Sequence, residues 1–391
     1  MSSLSLKQKL KSIAILTVGG YGVFALVNVF KCNEKFYKQV VMPLMHRLDP
    51  EKAHELAIFI AKHRLIPKSS YKDPAVLKCN FFGKQLSNPV GLAAGFDKHG
   101  EAIIGLRDVG FGFVEVGSVT PNPQLGNDKP RLFRLKEDKA VVNRYGFNSI
   151  GHDRVVESLD DIRNVHHLNY TFGVNLGKNK SSADSINDYV EGVKKFAPFA
   201  DYLVINVSSP NTPGLRALQT KVALEALLKA VVETRNNLSQ VTKPYLLLKL
   251  APDLSYEECK DIAEVLKKKS CKVDGLIVCN STVERPESLQ SDHKSESGGL
   301  SGLPLNDVST KMISEMHKLT DGMMIVGVGG IFSGKDAYNK IKAGASVVQL
   351  YTGMVYEGPP IVTKVKRELA ELLMADGYTN VTEAVGKDLQ Q

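Results

Sequence analysis

From residue 88 onward the chain alternates short, nearly continuous apolar runs with longer stretches whose apolar positions recur every three to four residues. The runs are NPVGLAAG (88–95), FGFVEVGSV (111–119), YTFGVNLG (170–177), DYLVINVSS (201–209), YLLLKLAP (245–252), GLIVCNS (275–281), MMIVGVGG (323–330) and ASVVQLYT (345–352). Apolar runs without polar alternation predict strands buried on both faces, as in a parallel sheet. Between them ALEALLKAVVETRNNL (223–238), SYEECKDIAEVLKKK (255–269) and VTKVKRELAELLMA (362–375) predict amphipathic helices. Eight β/α units predict an α/β fold, a TIM (β/α)8 barrel in preference to a doubly wound sheet. Residues 120–150 are too long for a simple βα connection and predict a small hairpin over the barrel mouth.

The N-terminus has a different pattern. Ser12 to Phe30 is a 19-residue run without a charge, flanked by lysines at both ends. It is just long enough for a transmembrane helix, and no small-residue cleavage site follows it. Gly19, Gly20, Gly22 and Asn28 weaken a helix there and leave a loosely ordered or interfacial tail as the alternative. The predicted organisation is a basic, acid-free targeting leader (1–11), one membrane helix (12–30), a two-helix unit (31–68) and the barrel (69–391). In the two-helix unit, Asp49 and Pro50 predict an N-cap and first helical position. Ala53, Leu56, Ala57 and Ile60 then form one apolar stripe. Such a pair has too little core to stand alone, and its place after the anchor predicts a membrane-facing cap.

Composition changes this picture little. With 43% hydrophobic and 24% charged residues the chain is an ordinary folded protein. Its five cysteines form no CxxC pair, which predicts free thiols and neither a disulfide framework nor a metal-ligand spacing. The net charge of +8 is concentrated at the start. Residues 1–40 hold six lysines against one acid, a net of +5, which leaves +3 on the other 351 residues. The body therefore has no strong basic field, and a nucleic-acid partner is not expected.

In TIM barrels the active site lies at the C-terminal ends of the strands. Here these ends carry Ala93-Ala94-Gly95, Gly117-Ser118, Asn175, Asn206 to Asn211, Lys249, Asn280-Ser281, Gly329-Gly330 and Tyr351-Thr352. Asn175, Asn206 and Asn280, with Asn143 from the inserted segment, predict a hydrogen-bonding cup for a planar polar ligand. GVGGIFSG (327–334) lacks the GxGxxG pattern but fits a barrel phosphate site of backbone N–H groups and a helix start. Together these point to a phosphorylated planar cofactor, with flavin mononucleotide (FMN) the leading candidate. The loop NVSSPNT (206–212) offers a serine that could remove a proton while hydride leaves the neighbouring carbon, with Thr212 and a water as relay. Lys249 ends an apolar strand. It must be paired or catalytic, and beside a flavin it would stabilise charge on the reduced ring. Lys98, in GFDKHG, either binds a substrate carboxylate or pairs with Asp97 or Glu101. No GxSxG elbow is present and no histidine is well placed to partner the serine, which argues against acyl transfer.

At these residues the chain resembles a known family. NPVGLAAGFDKHGEA, GFVEVGSVTPNPQLGNDKPRLFRL, NRYGFNS, GVNLGKNK, DYLVINVSSPNT, GGLSGLPL, GVGGI and GASVVQLYT occur in the order found in class 2 dihydroorotate dehydrogenases. These are the membrane-associated, quinone-reducing enzymes of mitochondria, and the resemblance spans about residues 34 to 387. It implies one FMN, oxidation of dihydroorotate to orotate in pyrimidine synthesis, and ubiquinone as final acceptor. It places the base on Ser209, where the related soluble class has Cys. Asn143, Arg144, Tyr145, Gly146 and Phe147 would hold the orotate ring and carboxylate with Lys98, Asn206, Asn211, Asn280 and Ser281. Ala93, Ala94, Gly95, Gly117, Ser118, Asn175, Asn206, Lys249, Cys279, Gly302, Gly329, Gly330, Tyr351 and Thr352 would hold FMN. His54, Arg134 and Tyr351 would be polar contacts of a quinone tunnel formed by the two-helix unit. The implied setting is a monomer on the mitochondrial inner membrane, its barrel facing the intermembrane space. Cys279 and Ser281 stand where the family pattern has Thr, and the segment from Met42 to Asp49 is one residue short of it. A flavin barrel acting on tRNA, such as a dihydrouridine synthase, would need a basic body that this chain lacks. A barrel that binds flavin without turnover would not need NVSSPNT together with Lys98 and Lys249.

Overall fold

A strand with apolar neighbours on both faces needs no polar alternation, and all eight apolar runs form such strands. In chain order they are β1 (Val90–Leu92), β2 (Phe113–Val119), β3 (Phe172–Leu176), β4 (Tyr202–Asn206), β5 (Tyr245–Leu250), β6 (Gly275–Val278), β7 (Met324–Val328) and β8 (Val347–Leu350). The computed structural model describes residues 5–389. Among these residues each barrel strand pairs in parallel with the next, and β8 pairs with β1 to close a TIM barrel. The predicted helices occupy Lys221–Asn236, Tyr256–Lys267 and Pro360–Ala375, with their apolar stripes on the barrel.

The end of the barrel opposite the mouth is closed by a hairpin the pattern did not predict, Cys79–Phe81 paired with Lys84–Leu86. The Phe81 ring stacks 5.0 Å from Phe113 and meets Tyr202 edge-on at 5.4 Å. Phe82 stacks 4.5 Å from Tyr245. Phe113, Tyr202 and Tyr245 are the first residues of β2, β4 and β5, so the hairpin plugs the barrel floor with aromatic contacts.

At the mouth the expected hairpin is present as Leu132–Leu135 and Ala140–Asn143. A third antiparallel strand, Gly299–Gly302, joins it, pairing Gly299 with Asn143. The sequence pattern does not predict this strand, whose pairing partner lies more than 150 residues earlier. The sheet has a core of its own around Phe133, Leu135, Val142 and Leu300.

The N-terminal helix runs from Leu6 to Phe30 without a break at its glycines, and none of its residues is buried. It starts inside the basic segment and not at Ser12, because Ser5 and Gln8 form a reciprocal capping box. The first four residues of the expected leader lie outside the described residues. At 1.5 Å per residue the helix is about 37 Å long, enough to cross a bilayer. A helical stretch follows through Met45, with a π-helical turn at Tyr37–Val41. The helix Pro50–Lys62 is capped by Asp49, whose carboxylate accepts from the N–H groups of Glu51 and Lys52 at 3.0 Å. Ion pairs Glu51–Arg131 (2.7 Å), Arg64–Asp108 (2.8 Å) and Glu34–Arg367 (2.8 Å) fasten these helices to the barrel.

Candidate active site

The strand register sets the floor of the site. Asn206 ends β4 and stands level with Lys249 on β5. Asn206 donates from Nδ2 to Asn175 Oδ1 (2.9 Å) and to Ser118 Oγ (3.1 Å). The Ser118 hydroxyl in turn donates to Asn175 Oδ1. Asn280 donates to Ser208 Oγ at 2.9 Å and lies 3.4 Å from Asn206 Oδ1. The three barrel amides therefore do converge, in one hydrogen-bonded cluster. Beneath them Asn175 Nδ2 donates to Glu115 Oε1, and Gln349 Nε2 donates to Glu115 Oε2, both at 2.8 Å. Glu115 and Gln349 are missing from the sequence reading, in which each is a lone polar residue in an apolar strand.

The loop after β4 carries Ser209. Arg216 braces this loop by donating to Ser208 O (3.0 Å) and Ser281 O (3.0 Å) and pairing with Asp253 (2.7 Å). Ser209 is buried, and its Oγ accepts from Asn211 N at 3.3 Å. Asn211 Nδ2 reaches Asn143 Oδ1 at 3.3 Å, which joins the loop to the mouth sheet. Lys98 Nζ donates to Gly95 O at 2.9 Å and sits 4.0 Å above the Tyr145 ring. Its alternative ion pairs do not form. The Asp97 carboxylate caps the N–H groups of Glu101 and Ala102, and Glu101 pairs with Lys62 at 2.7 Å. Burial pushes the Lys98 ammonium down to about 7, and nearby Glu51 offsets part of that shift. Lys249 is buried, and among the described residues its Nζ makes no hydrogen bond or ion pair within the chain.

These groups line a cavity of about 440 Å³ that extends to the N-terminal helices. Of the residues expected to hold substrate, Lys98, Asn143, Tyr145, Gly146, Phe147, Asn206, Asn211, Asn280 and Ser281 line it. Arg144 does not. Its guanidinium pairs with Glu296 at 2.7 Å and covers the Phe133 ring, because Asn143 and Arg144 side chains leave the chain in opposite directions. Ser209 and Lys249 line the cavity, whereas Thr212 lies behind it with a buried Oγ1 that has no hydrogen-bond partner among the described residues. Of the expected cofactor residues, Gly117 and Asn175 stand behind the wall, and the rest are in it. Cys279 lines the cavity as a buried residue. Burial pushes the thiol up to about 12, and Sγ lies 3.9 Å from Val328 O.

At the turn after β7 the N–H groups of Gly329, Gly330 and Ile331 have no backbone acceptor among the described residues, and all three residues line the cavity. Both glycines have positive φ (+124° and +68°). Nearby, Thr352 opens the helix Thr352–Glu357, its hydroxyl 2.9 Å from Ser301 Oγ. Unpaired N–H groups, amides and a lysine form a donor set that fits a planar ring carrying a phosphate.

Toward the N-terminal helices the cavity becomes apolar. His54 Nε2 donates to Phe96 O at 2.7 Å, which leaves Nδ1 facing the Tyr145 hydroxyl at 3.5 Å. Burial, and then the charge of Lys98, lowers His54 to about 3, so its ring is neutral. Arg134 donates to Leu48 O at 2.9 Å and lines the same end. Tyr351 donates to Gly95 O at 3.3 Å, and its ring lies 6.3 Å from that of His54.

Comparison with known proteins places this cavity in context. The family described as Dihydroorotate dehydrogenase matches residues 76–373. The mouse protein called dihydroorotate dehydrogenase (quinone), mitochondrial, is 50% identical over 395 residues, covering 99% of each chain. The Rhodospirillum rubrum protein called dihydroorotate dehydrogenase (quinone) is 50% identical over 90% of this chain and 94% of its own. A crystal structure described as DHODH in complex with ferulenol from Eimeria tenella superposes with a TM-score of 0.85 at 44% identity. That match covers 89% of this chain and 99% of the other.

Proposed function

The chain belongs to the dihydroorotate dehydrogenase family, and from that membership we propose a division of labour between the two ends of its cavity. It oxidises dihydroorotate to orotate with a quinone as electron acceptor, a step of pyrimidine biosynthesis. The observation that carries the reading is continuity. The cavity that holds Ser209, Asn206 and Lys249 also holds His54 and Arg134, with Tyr351 in its wall.

The family is flavin-dependent, and the flavin proposed here is FMN. When bound, it accepts hydride from the substrate and passes the electrons on. The amides of Asn206 and Asn280 and the Gly329–Gly330 turn support this choice. Dihydroorotate lies where Asn143, Asn211, Asn280 and Ser281 can meet its ring amides, and Lys98 meets its carboxylate. Ser209 Oγ takes the ring proton as hydride leaves the neighbouring carbon. Its hydroxyl is a weak base, and it gives up its own proton as it takes the substrate's, with a water and Thr212 as the relay. Thr212 acts from behind the loop and does not touch the substrate. Lys249 holds a positive charge against the reduced ring. Ubiquinone enters past His54 and Arg134.

The chain associates with a mitochondrial membrane. We propose that residues 12–30, within the helix Leu6–Phe30, cross the inner membrane once behind a leader at 1–11. Residues 31–68 then form the tunnel and membrane-contact unit. Residues 69–391 form a monomeric barrel facing the intermembrane space.

The test is an anaerobic absorbance spectrum of the purified protein. A flavin band that bleaches with dihydroorotate and returns with a ubiquinone analogue is the expected result. A flavin band that dihydroorotate leaves untouched would overturn the substrate assignment.

A further inference from the structure

Lys340 lies on the helix Gly334–Lys342, behind the cavity wall, and is fully buried. Its Nζ donates to Asn306 O (3.0 Å), Ser309 Oγ (2.9 Å) and Thr310 Oγ1 (2.9 Å). All three ammonium protons are thus used, and among the described residues no carboxylate pairs with it. A buried ammonium bound only to neutral oxygens is costly to keep. An apolar side chain would serve packing better, so the charge calls for another reason.

The acceptors of Lys340 supply one. Ser309 donates from Oγ to Val328 O at 2.5 Å, and Asn306 donates from Nδ2 to Gly330 O at 2.7 Å. In a trans peptide the C=O of one residue and the N–H of the next point in opposite directions. Holding Val328 O and Gly330 O on the helix side therefore turns the N–H groups of Gly329 and Ile331 to the other side. Packing there is close. A Cβ at Gly330 would stand 2.7 Å from Asn306 backbone, and one at Gly329 would stand 2.9 Å from Ser309 Cβ.

We propose that Lys340 is a positioning residue for the phosphate of the flavin: it locks Asn306 and Ser309 onto the Gly329–Gly330 turn, and its ammonium supplies positive charge behind the N–H groups that meet a phosphate monoester. This rests on the FMN reading above. Burial lowers Lys340 to about 8, so the ammonium form prevails at neutral pH. The residue makes the site selective for a phosphorylated flavin over the same ring without phosphate.

The test compares FMN with riboflavin. Dissociation constants for both are measured on the full-length protein in detergent after flavin removal, for wild type and Lys340→Met. FMN affinity is expected to fall about ten- to a hundredfold in the variant while riboflavin affinity stays within about twofold. Equal loss for both flavins, or no loss for FMN, overturns the proposal. Where Lys340→Met does not fold, Ser309→Ala carries the test, because it removes the helix-side bond to Val328 O, leaving that from Cys279 N, and one acceptor of Lys340. It too is expected to weaken FMN selectively, and parallel weakening of both flavins overturns the proposal. A wild-type protein with no preference for FMN over riboflavin defeats the FMN reading itself, an outcome read before any variant is made.

Discussion

Asn175 donates to the Glu115 carboxylate at 2.8 Å in a part of the barrel where both residues are fully buried. The other carboxylate oxygen accepts from Gln349, so two amides are oriented by one acid that pairs with no base among the described residues. Glu115 thereby decides which way the Asn175 amide faces Asn206 and Ser118. Glu115→Gln offers one N–H donor to a neighbour that is also a donor. The expected cost is about 2–3 kcal/mol, a fall in thermal midpoint of several degrees. An unchanged midpoint in a thermal melt would show that the cluster does not need the acid.

Ser209 is the group placed to take the substrate proton. Ser209→Ala is expected to slow anaerobic flavin reduction by dihydroorotate by roughly 10²–10⁴ at neutral pH, the usual range for a positioned base. Orotate binding should change little, because the amides and Lys98 remain. Stopped-flow absorbance measures the rate, and a reduction rate equal to wild type would remove Ser209 from the chemistry.

Lys98 sets a pH dependence for ligand binding. Its ordinary value of 10.5 is lowered to about 7 by burial, so it is an ammonium below pH 7 and neutral above. Above pH 7 an arriving carboxylate must draw a proton onto Nζ. Orotate affinity is therefore expected to fall as pH rises from about 6.5 to 8.5, by up to about tenfold per unit above the pKa, with net proton uptake on binding. Titration calorimetry in buffers of different ionisation heat reads that uptake. Lys98→Gln should abolish both effects, and a flat affinity across this range in the wild type would count against the carboxylate contact.

Arg134 belongs to the other half-reaction. It is a cation at the apolar end of the cavity, held by Leu48 O. Arg134→Ala is expected to raise the KM for a ubiquinone analogue about tenfold and leave the rate of flavin reduction by dihydroorotate unchanged. A matching fall in the reductive rate would mean that Arg134 acts on the barrel site.

The order of apolar runs was enough to establish the barrel, because burial on both faces leaves a local mark that needs no partner to be read. The same rule placed Asn206, Lys249 and Asn280 at one mouth, since strand ends converge in this fold whatever their separation in sequence. Asp49 as a helix cap was legible for a similar reason, the N–H groups that donate to its carboxylate lying two and three residues on. Which way each polar side chain turns was not legible. Arg144 follows Asn143 directly, yet it leaves the cavity for Glu296, 152 residues away. Glu115 finds Gln349 across 234 positions, and Lys340 finds Ser309 across 31. Periodicity reports the environment of a backbone position over a few neighbours. A hydrogen bond between distant side chains depends on strand register and barrel closure, which exist only once the chain has folded.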